Sequence, residues 1–460
     1  MKRRLFLTTA ILSGLAFFAL AQSPPRVRRT QTVVITPYKT TIIADGKDVA
    51  NITISVQDRQ GNVISNAANL IRFTVTGDAK IISIGNGIDA PHKPDTALQE
   101  NVYQGELKLV LQAGRTRSII KLSATSDTLY AAASEIHSVQ PGIAHPVTSG
   151  PPIAGTAKIT DKVIGADISF LPQNEDRGMK YYDENGQQAD ALKILKDHGF
   201  NYIRLRVFDH PDIAKGYSPK RGFCDLAHTM QMAKSIKAAG MKFLLDIHYS
   251  DTWADPQRQN IPEAWSTLDF NTIKDSVFTY TKGVMQALKD QGTEPDMVQV
   301  GNEINHGMIW PDGAVNNLDT LAAFIYAGVR GVKAVSPNAI IMLHIALGGQ
   351  NAEARFFIGN MLKRKVPFDV IGLSYYPQYH GTIADLKNNM ADLAKRYKKY
   401  VMVAEYSQHR AEVNDIAFTA PGDKAVGTFI WEPLNLFFDR SGKITPVLQE
   451  YPAIAAKYVR

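Results

Sequence analysis

The sequence predicts an α/β chain in two parts, a (β/α)8 TIM barrel preceded by an all-β sandwich. Three observations carry that expectation. From about residue 30 to 137 the chain runs in short alternating β-branched phrases without a helical period. Residues 138–162 are rich in Pro, Gly, Ser and Thr, and from 163 to 460 helix, glycine and strand follow one another repeatedly. With 460 residues, 45% of them hydrophobic, the chain exceeds one small domain and can bury a sizeable core.

Ahead of both parts, Lys2, Arg3 and Arg4 precede the apolar run LFLTTAILSGLAFFAL, which closes on Ala19-Leu20-Ala21. A charged start, a short apolar centre and a small-residue exit mark a secretory signal peptide, here residues 1–21 with cleavage after Ala21. The alternative, an uncleaved anchor, wants about 20 apolar residues, and this run is shorter. The expected location is periplasmic or extracellular, without stable membrane insertion after cleavage. No cysteine stands at the cleavage site, which argues against a lipoprotein anchor.

The sandwich phrases are QTVVITP, ANITISVQD, LIRFTVTG, AKIISIGNG, ELKLVLQAG and SIIKLSAT, bounded by turn chemistry such as Gln60-Gly61-Asn62. They place the sandwich at 30–137, with a linker at 138–162. The barrel occupies 163–460, where eight apolar phrases read as its strands: 163–169, 202–208, 242–249, 297–303, 340–346, 368–376, 400–407 and 427–433. Gly199 and Gly240 stand where helix C-caps would stop two helices before the next strand. A doubly wound open sheet is the alternative. It wants a glycine-rich phosphate turn after its first strand, and GADIS followed by FLPQNED is not one.

Composition narrows the chemistry. The single cysteine, Cys224, allows neither an intramolecular disulfide framework nor a multi-cysteine metal site, and it reads as a small packed side chain. Formal net charge is +7, yet the basic residues are scattered through helical segments rather than gathered in a stripe with aromatics, which argues against nucleic-acid binding.

Barrel chemistry is built at the C-terminal ends of different strands. The residues expected there are Asp167, Arg206, His248, Asn302, Glu303, His344, Tyr375, Glu405 and Trp431. Glu303 and Glu405, on the fourth and seventh phrases, face one cleft if the barrel closes, and such a pair is what glycosidic cleavage needs. One carboxylic acid protonates the leaving oxygen while the other carboxylate attacks the anomeric carbon or activates water. A separation of about 5–5.5 Å gives retention of configuration, and about 6.5–9.5 Å gives inversion. Arg206 is expected to hold Glu405 ionised, and the Tyr375 phenol to donate a hydrogen bond to it. Asn302 offers an amide to a sugar 2-hydroxyl. His248 and His344 are expected to orient these groups or substrate hydroxyls. Two histidines without a third ligand at recognisable spacing are weak evidence for zinc, so no metal is expected. Asp246 reads as structural, satisfied by backbone or by Arg204. All four tryptophans, Trp253, Trp265, Trp310 and Trp431, fall in or just after loops following the third, fourth and eighth phrases, where indoles can stack on sugar rings. Trp265 and Trp310 also admit a core reading. Asp251, beside Trp253 in HYSDTWADP, joins the substrate-binding set.

The motifs GADIS, YYDENG, LLDIHYSDTWADP, DMVQVGNEINHGMIWP and IGLSYYP resemble those of glycoside hydrolase family 53, the arabinogalactan endo-β-1,4-galactanases, over roughly residues 163 to 435. The resemblance implies a retaining clan of barrel glycosidases, with Glu303 as acid/base and Glu405 as nucleophile. It also implies Arg206, His248, Asn302, Tyr375 and Trp431 as surrounding cleft residues. The implied partner is a polysaccharide substrate, β-1,4-galactan of the kind found in pectic side chains, with no cofactor. The segment 406–426 is shorter than in many family members, some of which hold a structural calcium there. Calcium is therefore not carried over, and the cleft at that end is expected to be shorter or more open. Through ADGKDVANITISVQDRQGN and IISIGNG the sandwich resembles the immunoglobulin-like modules of bacterial β-galactosidases, and a spacer or packing role is expected of it. Two alternatives stand beside the galactanase reading. One is a retaining endo-glycanase acting on mannan, glucan or xylan. The other is a noncatalytic glycan-binding barrel, whose signature would be loss of a glutamate.

Overall fold

Alternating β-branched residues form strands where one face can be buried, and the N-terminal region repeats that pattern. The chain is seen in a computed structural model that describes residues 31–37, 40–58, 61–86, 98–139 and 158–459. The expected signal peptide and most of the expected linker lie outside the described residues. The first part holds β1 (Thr32–Pro37), β2 (Thr41–Ile43), β3 (Val49–Gln57), β4 (Leu70–Thr76), β5 (Ala79–Gly85), β6 (Gln99–Asn101), β7 (Glu106–Ala113), β8 (Ser118–Thr125) and β9 (Ala132–Val139). One sheet runs β1-β3-β7-β5 and the other β2-β9-β8-β4-β6. Ile52, Ile54 and Leu109 of the first pack with Ile71, Phe73 and Leu122 of the second in one core, which makes a sandwich. The six expected phrases are all strands. β2 and β6 are three-residue edge pieces without a period to read, and β9, AASEIHSV, hides its alternation behind Glu135 and His137.

The second part closes eight parallel strands into a barrel, which excludes the open sheet. They are β10 (Val163–Asp167), β13 (Tyr202–Val207), β14 (Lys242–Ile247), β15 (Met297–Val300), β16 (Ile340–Ile345), β17 (Val370–Tyr375), β18 (Tyr400–Tyr406) and β19 (Ala425–Trp431). A small hairpin, β11 (Tyr181–Tyr182) and β12 (Gln188–Ala189), lies between the first two. Seven of the eight expected phrases contain one of these strands, and the eighth, 427–433, overlaps β19, which starts two residues earlier at Ala425. Asp190 and Asp225 cap the helices Ala191–Asp197 and Leu226–Ala238, accepting from Leu192 N–H (2.7 Å) and His228 N–H (2.8 Å). Gly199 (φ 94°) and Gly240 (φ 69°) end those helices in the left-handed region, as expected. Among the described residues no helix is long and apolar enough to cross a membrane. Cys224 is buried, and burial pushes its thiol up to about 12.

Inside the barrel, residues alternate between the central axis and the surrounding helices. The floor is apolar, built from Val163, Tyr202, Leu244, Met297, Met342 and Phe429. Two residues further along four of these strands, the same inward row becomes Arg204, Asp246, Gln299 and His344, each at most 1% exposed. The polar layer that carries the site therefore rests on a hydrophobic plug.

The seam between β19 and β10 makes one glycine indispensable. Gly427 has φ 137°, and a Cβ there would stand 2.0 Å from the Val163 carbonyl oxygen. Gly427→Ala is expected to cost about 3 kcal/mol, through backbone strain and overlap with a strand that cannot move aside. Thermal unfolding followed by circular dichroism checks this, and an unchanged melting temperature would contradict it.

Candidate active site

Both glutamates reach the cleft through local breaks in regular strand geometry. β15 stops at Val300, Gly301 turns with φ 84°, and Glu303 sits in the left-handed region at φ 48° and ψ 49°. That conformation costs a non-glycine residue roughly 1–2 kcal/mol. The buried Ile304 that follows anchors the turn in the core. In β18, Val403 pairs with Leu373 but Glu405 pairs with Ser374, leaving Ala404 as an extra residue. Met402 and Ala404 face the barrel interior, so strict alternation would turn Glu405 outward. The bulge re-aims it into the cleft. Glu303 and Glu405 then line one cavity of about 610 Å³ together with His248, Trp253, Asn302 and Trp431.

Arg204 organises the charge below them. Its Nη1 donates to Asp167 (2.9 Å) and Glu405 (2.7 Å), its Nη2 to Asp246 (2.9 Å) and Asn302 Oδ1 (2.8 Å), and its Nε to Gln299 (3.2 Å). A guanidinium has five N–H donors, and all five are used. Burial opposes its charge, but Asp246, Glu405 and Asp167 outweigh that and raise its pKa. His248 Nδ1 accepts from Ala254 N–H (3.2 Å), which leaves the ring proton on Nε2, 3.0 Å from Asp246.

The two glutamates are not equivalent. Burial, then the charge of Glu405, pushes Glu303 up to about 8. Ser374 Oγ donates to Glu303 Oε1 (2.5 Å) and also lies 2.9 Å from His344 Nε2. Burial, with Arg204 beside it, drives the His344 pKa well below the ordinary value. Burial raises Glu405 as well, but Arg204 pulls against it, and Tyr376 Oη donates to its second oxygen at 3.2 Å. Of the two carboxyls, Glu303 is the one pushed to about 8 with no ion-pair partner among the described residues, while Glu405 has the Arg204 cation to oppose its rise.

Several expected contacts are corrected. Arg204, not Arg206, holds Glu405; both point inward, and Arg206 lies one layer higher. There it pairs with Glu432 (2.7 Å), between the rings of Phe170 and Trp253, each 4.5 Å away. Tyr376, not Tyr375, donates to Glu405. Ser374 points inward, so Tyr375 faces the helices, and its hydroxyl donates to the Gly381 carbonyl (3.1 Å). His344 is fully buried and does not face substrate; it positions Asn302 and Ser374. Asn302 lines the cleft, but its Oδ1 accepts from Arg204 and Gln299, and its amide donates to Ala254 O (2.8 Å). One N–H is left for a ligand. Asp251 braces loops instead of facing the cleft, accepting from His210 N–H (3.0 Å) and Glu263 N–H (2.7 Å). Trp265 is a core residue. Trp310 stands outside the catalytic cleft, in a neighbouring cavity.

Sequence reasoning missed Glu432, Tyr376, Ser374 and Tyr379. Glu432 follows the last strand in a left-handed conformation (φ 41°) that no pattern announces. Period-two counting from Gly372 would have found Ser374 and Tyr376. Tyr379, 70% exposed at the cleft mouth, belongs to the aromatic cluster YYPQY.

Comparison with known proteins agrees with this geometry. An uncharacterised protein of Niallia circulans is 43% identical over 251 residues, covering 53% of this chain and 66% of the relative. A probable arabinogalactan endo-beta-1,4-galactanase A of Aspergillus terreus is 36% identical over 312 residues, covering 60% of this chain and 86% of the relative. The solved family 53 catalytic domain of Ignisphaera aggregans superposes with a TM-score of 0.59 at 32% identity, over 68% of this chain and 99% of that one. The sandwich matches Glycoside hydrolase family 2 C-terminal domain 5 at residues 33–135, in agreement with an immunoglobulin-like module. The model of Glycosyl hydrolase family 53 matches residues 163–429, more than half of the 460, and the chain belongs to that family.

Proposed function

We propose that this chain is an exported, retaining endo-β-1,4-galactanase that cuts unbranched or sparsely branched galactan internally. The unequal pair of glutamates carries the reading. Glu303, held protonated, gives its proton to the glycosidic oxygen, while Glu405, ionised and fixed by Arg204 and Tyr376, attacks the anomeric carbon. The C–O bond to the leaving sugar breaks as the bond to Glu405 Oε forms. Glu303, now ionised, takes a proton from water, which attacks the same carbon and frees Glu405. The Aspergillus relative's name supports galactan as the polymer. Only residues 407–409 separate β18 from the helix Arg410–Thr419, which supports a shorter or more open cleft at that end. Trp253 and Trp431 offer faces to sugar rings. Arg206, Asn302 and His248 set the floor and edges of that space.

Reducing-end release and product anomer on linear galactan test the reading. Glu303→Gln and Glu405→Gln are each expected to lower kcat by about 10³-fold or more with the fold intact. Full activity of either variant, or inactivity of the unmodified protein on galactan with turnover of mannan, glucan or xylan, would sink the galactanase assignment.

The pH profile has a defined sign. Activity needs Glu303 protonated and Glu405 ionised, so the rate falls on the alkaline side as pH rises through about 8, where Glu303 loses its proton. Ser374 lowers the Glu303 pKa by donating to its charged form, so Ser374→Ala is expected to move that alkaline limb to higher pH. A limb moving to lower pH would contradict the hydrogen-bond role.

Tyr376→Phe removes the phenol that steadies Glu405, and a kcat loss of about 10-fold to 100-fold is expected. Tyr375→Phe should stay within about twofold, because that hydroxyl meets only the Gly381 carbonyl. Steady-state kinetics on the two variants separate the neighbours, and the reverse order of losses would refute the assignment.

A further inference from the structure

The cleft has a neighbour on the side of the sandwich. His306 lines both the cleft and a second cavity of about 610 Å³, where Asn260 and Trp310 of the barrel face Thr40, Glu135 and His137 of the sandwich. We propose that this interdomain cavity is a distal subsite for neutral hexose units of the same polysaccharide, so that the sandwich completes the substrate path.

The cavity is held open by fixed contacts. Arg117 of the sandwich lies 3.2 Å from Asp312 of the barrel and donates to the Leu268 carbonyl at 3.2 Å. Asn316 Nδ2 donates to the Thr41 carbonyl at 3.4 Å. These contacts bracket Trp310, whose backbone N–H donates to Gln259 O (2.6 Å) and whose indole Nε1 donates to His306 O (3.0 Å). Such a ring is set before a ligand arrives, which lowers the entropy cost of stacking a sugar on it.

The polar groups of the wall suit hydroxyls. His137 Nδ1 is buried without a hydrogen-bond partner among the described residues, and the exposed carboxylate of Glu135 stands beside it as an acceptor. Burial holds the His137 imidazole below its ordinary pKa, so that wall is uncharged at neutral pH apart from Glu135. An anionic sugar would meet Glu135, while Arg117, the described cation that acts on His137, is committed to Asp312. A neutral chain meets a donor, an acceptor and an aromatic face. The volume lies within the roughly 300–1,000 Å³ typical of small-molecule sites.

This inference rests on the glycanase reading, and substrate length tests it. His137→Ala, Glu135→Ala and Thr40→Trp, the last filling the cavity from the sandwich side, are compared with the unmodified chain on galactotriose and on linear galactan, with melting temperatures measured alongside. The expected result is a fall in kcat/KM of about fivefold to tenfold on galactan, the scale of one or two lost hydrogen bonds, with galactotriose turnover within about twofold and melting unchanged. Equal rates at both lengths would overturn the subsite, as would an equal loss at both, which would mark a scaffold role. If the unmodified protein is inert on galactan but cleaves another β-1,4-glycan, the galactanase reading fails, and the same length comparison on that polymer decides the subsite.

Discussion

The site depends on one buried guanidinium. Moving a cation out of water costs several kcal/mol even after relaxation, and only close, well-shaped partners offset it. Arg204, 1% exposed, has Asp167, Asp246 and Glu405 as anionic partners and the amide oxygens of Asn302 and Gln299 as neutral ones. Those five contacts draw residues from four other strands or their ends, β10, β14, β15 and β18, toward one point on β13. Asp246 in turn fixes the His248 ring, and Asn302 fixes the His344 ring. Lysine could not replace the arginine, because one ammonium has three donors and no fork to span partners on opposite sides.

The division of labour between the glutamates follows from where that cation can reach. Arg204 touches Glu405, and no ion pair joins Glu303 to it among the described residues. Glu303 instead meets a hydroxyl that has a single proton and two neighbours, Glu303 Oε1 and His344 Nε2. When Glu303 is ionised, Ser374 donates to it. One hydroxyl thus couples Glu303 to the buried His344 ring, and its single proton serves one neighbour at a time.

Legibility in the sequence followed regularity of the backbone. All eight barrel strands were visible because parallel strands buried on both faces are continuous apolar runs, and the helices between them end on Gly199 and Gly240. Within the site, the errors lie where period two was misread or broken. Arg204 and Arg206 share a face, and alternation cannot say which layer a carboxylate from another strand will meet. Tyr375 and Tyr376 lie on opposite faces, a distinction that the pattern VIGLSYY does contain. Glu405 reached the cleft only through a bulge at Ala404, which no composition signal marks, and Glu432 through a left-handed residue after β19. Glu303 and Glu405 still line one cavity, as their places at the ends of two strands led one to expect, whatever direction alternation alone would give each side chain.

The sandwich, expected from its sequence to be a spacer or packing module, belongs to the same physical account. Asp312, 1% exposed, lies nine residues beyond Glu303 on the loop that leaves the acid/base, and Arg117 brings a cation to it from the other domain. Breaking a buried pair by removing one partner typically costs about 3–5 kcal/mol, so the shape of this loop is tied to the docked position of the sandwich. Trp310 and His306 lie on that loop between Glu303 and Asp312. Beyond β18 the connection to the next helix is three residues, 407–409. A polysaccharide cleft needs length more than depth. Here the domain ahead of the barrel adds to that length the surface of the interdomain cavity.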